Sequence, residues 1–196
     1  MFDNVRADLH QMLKHNVKAG GGRAQWLKLL LQPTTIAVVN YRFARWSGQI
    51  PIPGIRHLFL VMATVVRYPV EILTGVHISP RADIGPGFGV HTPYGVFVGP
   101  AKIGRNCVVQ HGVVIGYSTR RIGDNVYFGP GAKVMGPCTI GDNVVVVANS
   151  VVLADIPSDR MAIGIPARAT FPRGRTLDFG DAGGANGTAS TISKES

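Results

Sequence analysis

The feature that most constrains the fold is a six-residue period of apolar side chains in the second half of the chain. Its leading positions are Ile78, Ile84, Val90, Ile103, Val109, Ile115, Ile122, Phe128, Val134, Ile140, Val146 and Val152. An α-helix repeats about every 3.6 residues and a strand about every two, so neither produces this pattern. Units this short bury their apolar side chains only when successive turns stack on one another. The sequence therefore predicts a solenoid of short parallel strands, with three units to a turn.

Two departures from the period mark where loops should project from the solenoid. Val90 to Ile103 takes thirteen residues for two units, and Ile115 to Ile122 takes seven for one. Projecting loops often carry functional residues. Cys107 and Cys138 instead occupy the small inward slot, each four residues after a leading position. We expect them to be structural, and two cysteines without a paired spacing indicate neither disulfides nor a zinc site.

The first part of the chain has a helical spacing of apolar residues instead. We predict an α-helical N-terminal domain over residues 1–75, a solenoid domain over 76–169 and a disordered C-terminal extension over 170–196. Four apolar stripes fall within residues 2–13, 26–31, 36–46 and 55–67, and Pro69 is expected to end the last helix. Arg42 and Arg45 lie off the third stripe.

The formal net charge of +9 is concentrated in this N-terminal segment. It fits either the solvated face of a helical cap or oligomerisation domain, or a basic amphipathic surface on an anionic membrane. Residues 58–66 form an uncharged stretch of nine, against the roughly 20 residues needed to cross a bilayer, so no transmembrane helix is predicted. The N-terminus does not look like a signal peptide, and no nucleic-acid-binding motif accompanies the charge. A reducing, cytoplasmic location is expected.

Three features together resemble a known family: the repeats, the segment SVVLADIPSDRMAIGIPAR at residues 150–168, and VRADLH at residues 5–10. Over residues 5–168 the chain resembles the serine acetyltransferase branch of the hexapeptide-repeat acyltransferases. The resemblance implies a left-handed parallel β-helix with an α-helical N-terminal domain and a homotrimer, and leaves open whether trimers pair into hexamers. It also implies transfer of an acetyl group from acetyl-coenzyme A (acetyl-CoA), a co-substrate, with no metal.

Acetyl transfer to a hydroxyl needs a base, and histidine is the natural one near neutral pH. His91 and His111 follow the leading residues Val90 and Val109, one turn apart, so both should project from one corner. The resemblance places the catalytic histidine two places after the leading residue, where Thr92 stands. A one-residue deletion before His91 would restore that match, so the resemblance assigns His91 as the base, with His111 as the second candidate. His77 stands where the family has a supporting aspartate.

The resemblance also implies a groove between neighbouring subunits for coenzyme A. The matching positions are Gly116, Gly129, Pro130, Ala148 and Arg168. Pro130 has no N–H, which removes one backbone donor. Arg120, Arg121 and Lys133 are further candidates for binding the phosphates, and each is equally consistent with solvated surface.

The acceptor hydroxyl is predicted from a short segment, residues 117–121. Family members that act on serine carry a longer loop there, with an Arg-His pair that helps to bind serine. Its absence favours a sugar hydroxyl in polysaccharide biosynthesis, with enzyme at the inner face of the membrane, over the alternative of serine in cysteine biosynthesis. A zinc-dependent carbonic anhydrase would need closely spaced histidines, whereas His77, His91 and His111 are 14 and 20 residues apart. A catalytically inactive scaffold is the remaining alternative.

Overall fold

The computed structural model describes residues 2–16 and 32–172 of the chain. Its described helices are α1 (Phe2–Asn16), α2 (Pro33–Ser47) and α3 (Pro53–Thr74). The helix expected around residues 26–31 and almost all of the predicted C-terminal extension lie outside the described residues.

In the described part of the chain, fifteen short strands follow the helices. They are β1 (Val76–Ile78), β2 (Asp83–Ile84), β3 (Gly89–Val90), β4 (Val96–Val98), β5 (Lys102–Ile103), β6 (Val108–Val109), β7 (Val114–Ile115), β8 (Arg121–Ile122), β9 (Tyr127–Phe128), β10 (Lys133–Val134), β11 (Thr139–Ile140), β12 (Val145–Val146), β13 (Val151–Val152), β14 (Arg160–Gly164) and β15 (Ala167–Pro172). The last strand thus extends past the boundary predicted at residue 169.

The strands form the three faces of a prism. The first sheet has the order β1-β4-β7-β10-β13, the second β2-β5-β8-β11, and the third β3-β6-β9-β12-β14-β15. Neighbouring strands are parallel except for the final antiparallel pair, β14 with β15. Val90, Val109, Phe128 and Val146 stack in successive turns and are fully buried. The parallel β-helix predicted from the six-residue period is therefore confirmed.

The first register slip lies at the corner that leads from the third sheet to the first. Six residues separate Val90 from Val96, but four separate the equivalent Val109 and Val113 in the next turn. The two additional residues project outward, and Tyr94 among them is 67% exposed. The loop predicted from the sequence therefore lies at the corner that begins with His91.

A buried ion pair joins the helices to the first turn of the solenoid. Arg42 Nε lies 2.8 Å from Asp8 Oδ2, and the two side chains are 6% and 2% exposed. Asp8 Oδ1 accepts hydrogen bonds of 2.8 Å from the backbone N–H groups of both Gly87 and Phe88. Burial raises the pKa of Asp8, whereas Arg42 and these N–H groups act in the opposite direction. The pair fixes α1 and α2 on the open end of the prism.

Helix α3 is longer than the sequence suggests, because it continues through Pro69 to Thr74. A proline inside a helix removes one backbone hydrogen bond. Pro69 lies on the exposed side of α3, where water can reach the carbonyl that loses its partner. The opposite side buries Ala63 and Thr74. Packing of that side sustains the helix beyond the proline.

The exposed side of α3 is strongly apolar. Leu58, Val61, Val65 and Ile72 are 61% to 82% exposed. By length and composition, α3 as a whole meets the requirement for a membrane-spanning helix, although residues 58–66 alone are too short. The expectation that no helix crosses a membrane stays a prediction. A single helix of this kind is weak support for insertion, and membrane contact stays a prediction.

Candidate active site

The candidate site is the corner just after β3, β6, β9 and β12, which we call the histidine corner (residues 91–92, 110–111, 129–130 and 147–148). The strand register stacks Thr92, His111, Pro130 and Ala148 in successive turns. His91 lies one place earlier, opposite Gln110. The two histidines therefore share a corner, as predicted, but they are not stacked. In this register Thr92, not His91, lies two residues after the leading residue Val90, where the family has its catalytic histidine. The one-residue deletion that would bring His91 to that position is therefore absent.

The two histidines differ in what they present to solvent. His91 is partly buried, and its Nε2 atom is buried within the chain. His111 is exposed, and its Nδ1 atom lies 3.0 Å from the Thr92 hydroxyl oxygen. The same hydroxyl oxygen accepts a 3.0 Å hydrogen bond from the His111 backbone N–H. His111 is thus held from its Nδ1 side, which leaves the Nε2 side for a substrate.

Hydrogen bonds continue from Thr92 along the outer surface of the third sheet. The Thr92 hydroxyl lies 3.2 Å from Gln110 Oε1, and Gln110 Nε2 donates to the Tyr127 hydroxyl at 3.1 Å. Sequence reasoning missed these three residues as functional candidates. The available signal was their outward position beside the leading residues of three successive turns.

Three of the five predicted coenzyme A positions lie at the histidine corner: Gly129, Pro130 and Ala148. Gly129 is in close contact with the next turn, since a Cβ there would lie 2.7 Å from the Ala148 nitrogen. Pro130 contributes its carbonyl, which accepts a 2.8 Å hydrogen bond from the backbone of Asn149. The absence of an N–H at Pro130 leaves that turn without one donor for a ligand.

The other two predicted coenzyme A positions lie apart from this corner in the single chain. Gly116 follows β7 at the next corner of the prism, where its N–H donates to the Val134 carbonyl at 2.8 Å. Arg168 is exposed in the terminal hairpin, opposite Ile163. All five positions stay predictions.

A basic side chain stands close to the histidine corner. The Lys133 ammonium lies 3.3 Å from the Gly131 carbonyl oxygen, and the Gly131 N–H donates to the His111 carbonyl at 2.9 Å. Arg120 and Arg121 are exposed near the second register slip. Lys133 is therefore linked to His111 through Gly131, and its positive charge suits an anionic donor.

His77 has a different setting, in the first sheet. Its Nδ1 lies 3.1 Å from Glu71 Oε1, and its ring stacks on Phe97 with the centroids 4.8 Å apart. It therefore contacts α3 rather than the histidine corner. Within residues 2–16 and 32–172, no group of three histidine, cysteine or acidic residues is arranged to hold a metal ion.

Both cysteines point into the prism, as predicted. Cys107 and Cys138 are 0% and 1% exposed. Burial raises the pKa of Cys107 to about 12, and it raises that of Cys138 as well. A thiol that stays protonated is a poor nucleophile. The geometry therefore fits direct transfer between bound substrates better than a cysteine-bound acetyl intermediate.

Comparison with known proteins identifies relatives of the whole fold. The family model "Bacterial transferase hexapeptide (six repeats)" matches residues 121–154, and "Hexapeptide repeat of succinyl-transferase" matches residues 95–117. The serine acetyltransferase of Synechococcus elongatus is 34% identical over 186 residues, which cover 91% of this chain and 72% of the relative. That of Helicobacter pylori is 33% identical over 154 residues, which cover 74% of this chain and 86% of the relative.

Solved structures that are similar to this chain are also serine acetyltransferases. Serine acetyltransferase of Neisseria gonorrhoeae in complex with serine superposes with a TM-score of 0.66 at 27% identity, covering 84% of this chain and 67% of that one. The soybean serine acetyltransferase apoenzyme superposes with a TM-score of 0.68 at 28% identity, covering 85% of this chain and 67% of that one. The relatives favour the serine branch over the polysaccharide branch expected from residues 117–121. The chain therefore belongs to the serine acetyltransferase family and is an acyltransferase that uses acetyl-CoA.

Proposed function

We propose that this protein transfers the acetyl group of acetyl-CoA to the hydroxyl of L-serine. The observation that carries the proposal is the similarity to serine acetyltransferases, which extends over 91% of the chain and so includes both the helices and the solenoid. Serine thus replaces the sugar hydroxyl as the favoured acceptor. Because residues 117–121 are shorter than the family's serine-binding loop, the proposal requires that serine binds without that loop.

In the proposed reaction His111 acts as the base. Its Nε2 accepts the proton of the serine hydroxyl while the hydroxyl oxygen attacks the thioester carbonyl carbon. The carbon–sulfur bond then breaks, and the departing coenzyme A thiolate takes the proton back from His111. The exposure of His111 and the burial of His91 Nε2 support His111 as the base, whereas the family resemblance supports His91.

Assembly and location are part of the same proposal. A homotrimer would place the histidine corner of one subunit in a groove against its neighbour, where Gly129, Pro130 and Ala148 could contact coenzyme A. Two buried, unpaired cysteines suit a reducing, cytoplasmic setting.

The proposal is tested by coenzyme A release from acetyl-CoA with the purified protein. One arm contains L-serine, and the other contains matched concentrations of hexoses, amino sugars and nucleotide sugars. We expect release with serine, accompanied by O-acetylserine in the mass spectrum. Release with a sugar but not with serine would overturn the proposed acceptor, and release with neither would favour an inactive scaffold.

A further inference from the structure

We propose that Thr92, Gln110 and Tyr127 form a hydrogen-bonded chain that keeps the proton of neutral His111 on Nδ1 and so leaves Nε2 free to act as a base. These are positioning residues, since they act through His111. The inference rests on the proposed function only in its kinetic test, which measures the serine-dependent reaction. It assigns a role to three side chains that join adjacent turns of the solenoid.

The single hydrogen of the Thr92 hydroxyl decides which nitrogen of His111 carries the proton. A hydroxyl group has one hydrogen to donate and two lone pairs to accept. One lone pair accepts the His111 backbone N–H at 3.0 Å, and the hydrogen points to Gln110 Oε1 at 3.2 Å. The second lone pair faces His111 Nδ1 at 3.0 Å. A hydrogen bond forms there only if Nδ1 carries the proton.

The orientation of the Gln110 amide sets the direction of the hydrogen-bonded chain. Gln110 Nε2 donates to the Tyr127 hydroxyl oxygen at 3.1 Å, so Oε1 is turned toward Thr92. With the amide reversed, Gln110 would donate to Thr92, and Thr92 would donate to Nδ1. His111 would then carry its proton on Nε2 and could not accept one from a substrate. The orientation of one amide therefore controls whether His111 is a competent base.

The hydrogen-bonded chain of Thr92, Gln110 and Tyr127 would take the place of the family's supporting aspartate. The residue at that position, His77, contacts Glu71 rather than His111. Gln110→Glu offers a direct probe, because a carboxylate only accepts hydrogen bonds and must receive the Thr92 proton. It keeps the required direction but adds a negative charge that favours the protonated imidazolium. A base works only when deprotonated, so the acidic limb of the pH–rate profile should move to higher pH.

The test compares Thr92→Val, Thr92→Ser and Gln110→Glu with the native protein. Thr92→Val keeps the shape but cannot bond Nδ1, so we expect kcat to fall at least about 10-fold, part of the 10²–10⁴-fold that a positioned base supplies. The KM for acetyl-CoA should change little. Thr92→Ser should restore most of the rate. Thr139→Val, on the second sheet, is the matched control and should leave kcat unchanged.

Nitrogen NMR of the His111 ring in the resting native protein reads the tautomer without any substrate. We expect a protonated Nδ1 in the native protein and in Gln110→Glu, and loss of that preference in Thr92→Val. A protonated Nε2 in the native protein, or an unchanged kcat in a folded Thr92→Val, would overturn the inference. A protonated Nδ1 without serine-dependent activity would support the positioning chain and refute the acceptor instead.

Discussion

The buried Arg42 should contribute far more to stability than Arg45, which lies three residues later on the same helix. Arg42 donates two hydrogen bonds to Asp8 and two more to the carbonyl oxygens of Ile84 and Gly85. Arg42→Ala removes all four and leaves a buried carboxylate with only backbone N–H donors. Removing one partner of a buried ion pair costs about 3–5 kcal/mol.

Arg45 provides the matched comparison. Its guanidinium lies 3.1 Å from Asp83, but the two side chains are 39% and 63% exposed. Exposed pairs of this kind contribute about 0–1 kcal/mol, because water screens the charges. Arg45→Ala should therefore lower the free energy of unfolding by no more than about 1 kcal/mol.

The two variants are compared by urea unfolding at neutral pH and at one protein concentration, since association changes apparent stability. We expect the free energy of unfolding to fall by at least about 2 kcal/mol more in Arg42→Ala than in Arg45→Ala, because a buried ion pair is lost in one and an exposed pair in the other. The double variant Asp8→Ala with Arg42→Ala should recover part of that loss, because it no longer buries an unpaired charge. Equal losses for the two arginines would refute the reasoning.

Two further predictions concern the interior of the solenoid. Iodoacetamide should leave both cysteines unmodified in the native protein at pH 8, because burial raises the pKa of Cys107 to about 12 and the reactive thiolate is scarce; alkylation in the mass spectrum before unfolding would contradict this. Gly104→Ala should lower the free energy of unfolding by about 1–3 kcal/mol, because the added Cβ would lie 2.6 Å from the carbonyl carbon of Gly123 in the next turn. Gly54→Ala is its control, since a Cβ there has nothing within 4 Å, and equal losses for the two would show that close stacking is unimportant.

The architecture could be predicted from the sequence because the period of the apolar residues determines which residues of successive turns lie over one another. The same reasoning located the loop after His91 and the inward position of Cys107. The end of α3 was predicted wrongly at Pro69, because a local signal was outweighed by packing on the opposite side of the helix. A proline is a strong helix stop only where no tertiary contact sustains the next turn.

The contacts of the site could not be predicted in the same way. Thr92 and His111 are 19 residues apart, and two inserted residues between Val90 and Val96 obscure which positions lie side by side. Arg42 and Arg45 both lie off the apolar stripe of α2, so the sequence does not separate a buried ion pair from an exposed one. The acceptor was inferred from the short segment at residues 117–121, which describes only one side of a groove that a trimer would share between subunits.

The most direct test of the account is the rate of serine-dependent coenzyme A release by His111→Ala, compared with His91→Ala and the native protein. We expect His111→Ala to lose about 10²-fold or more in kcat, the contribution of a positioned base, while it still binds coenzyme A. His91→Ala should retain most of its turnover if it folds, because the Nε2 atom of His91 is buried within the chain. Full activity in His111→Ala, with loss in a folded His91→Ala, would contradict the account and return the catalytic role to His91.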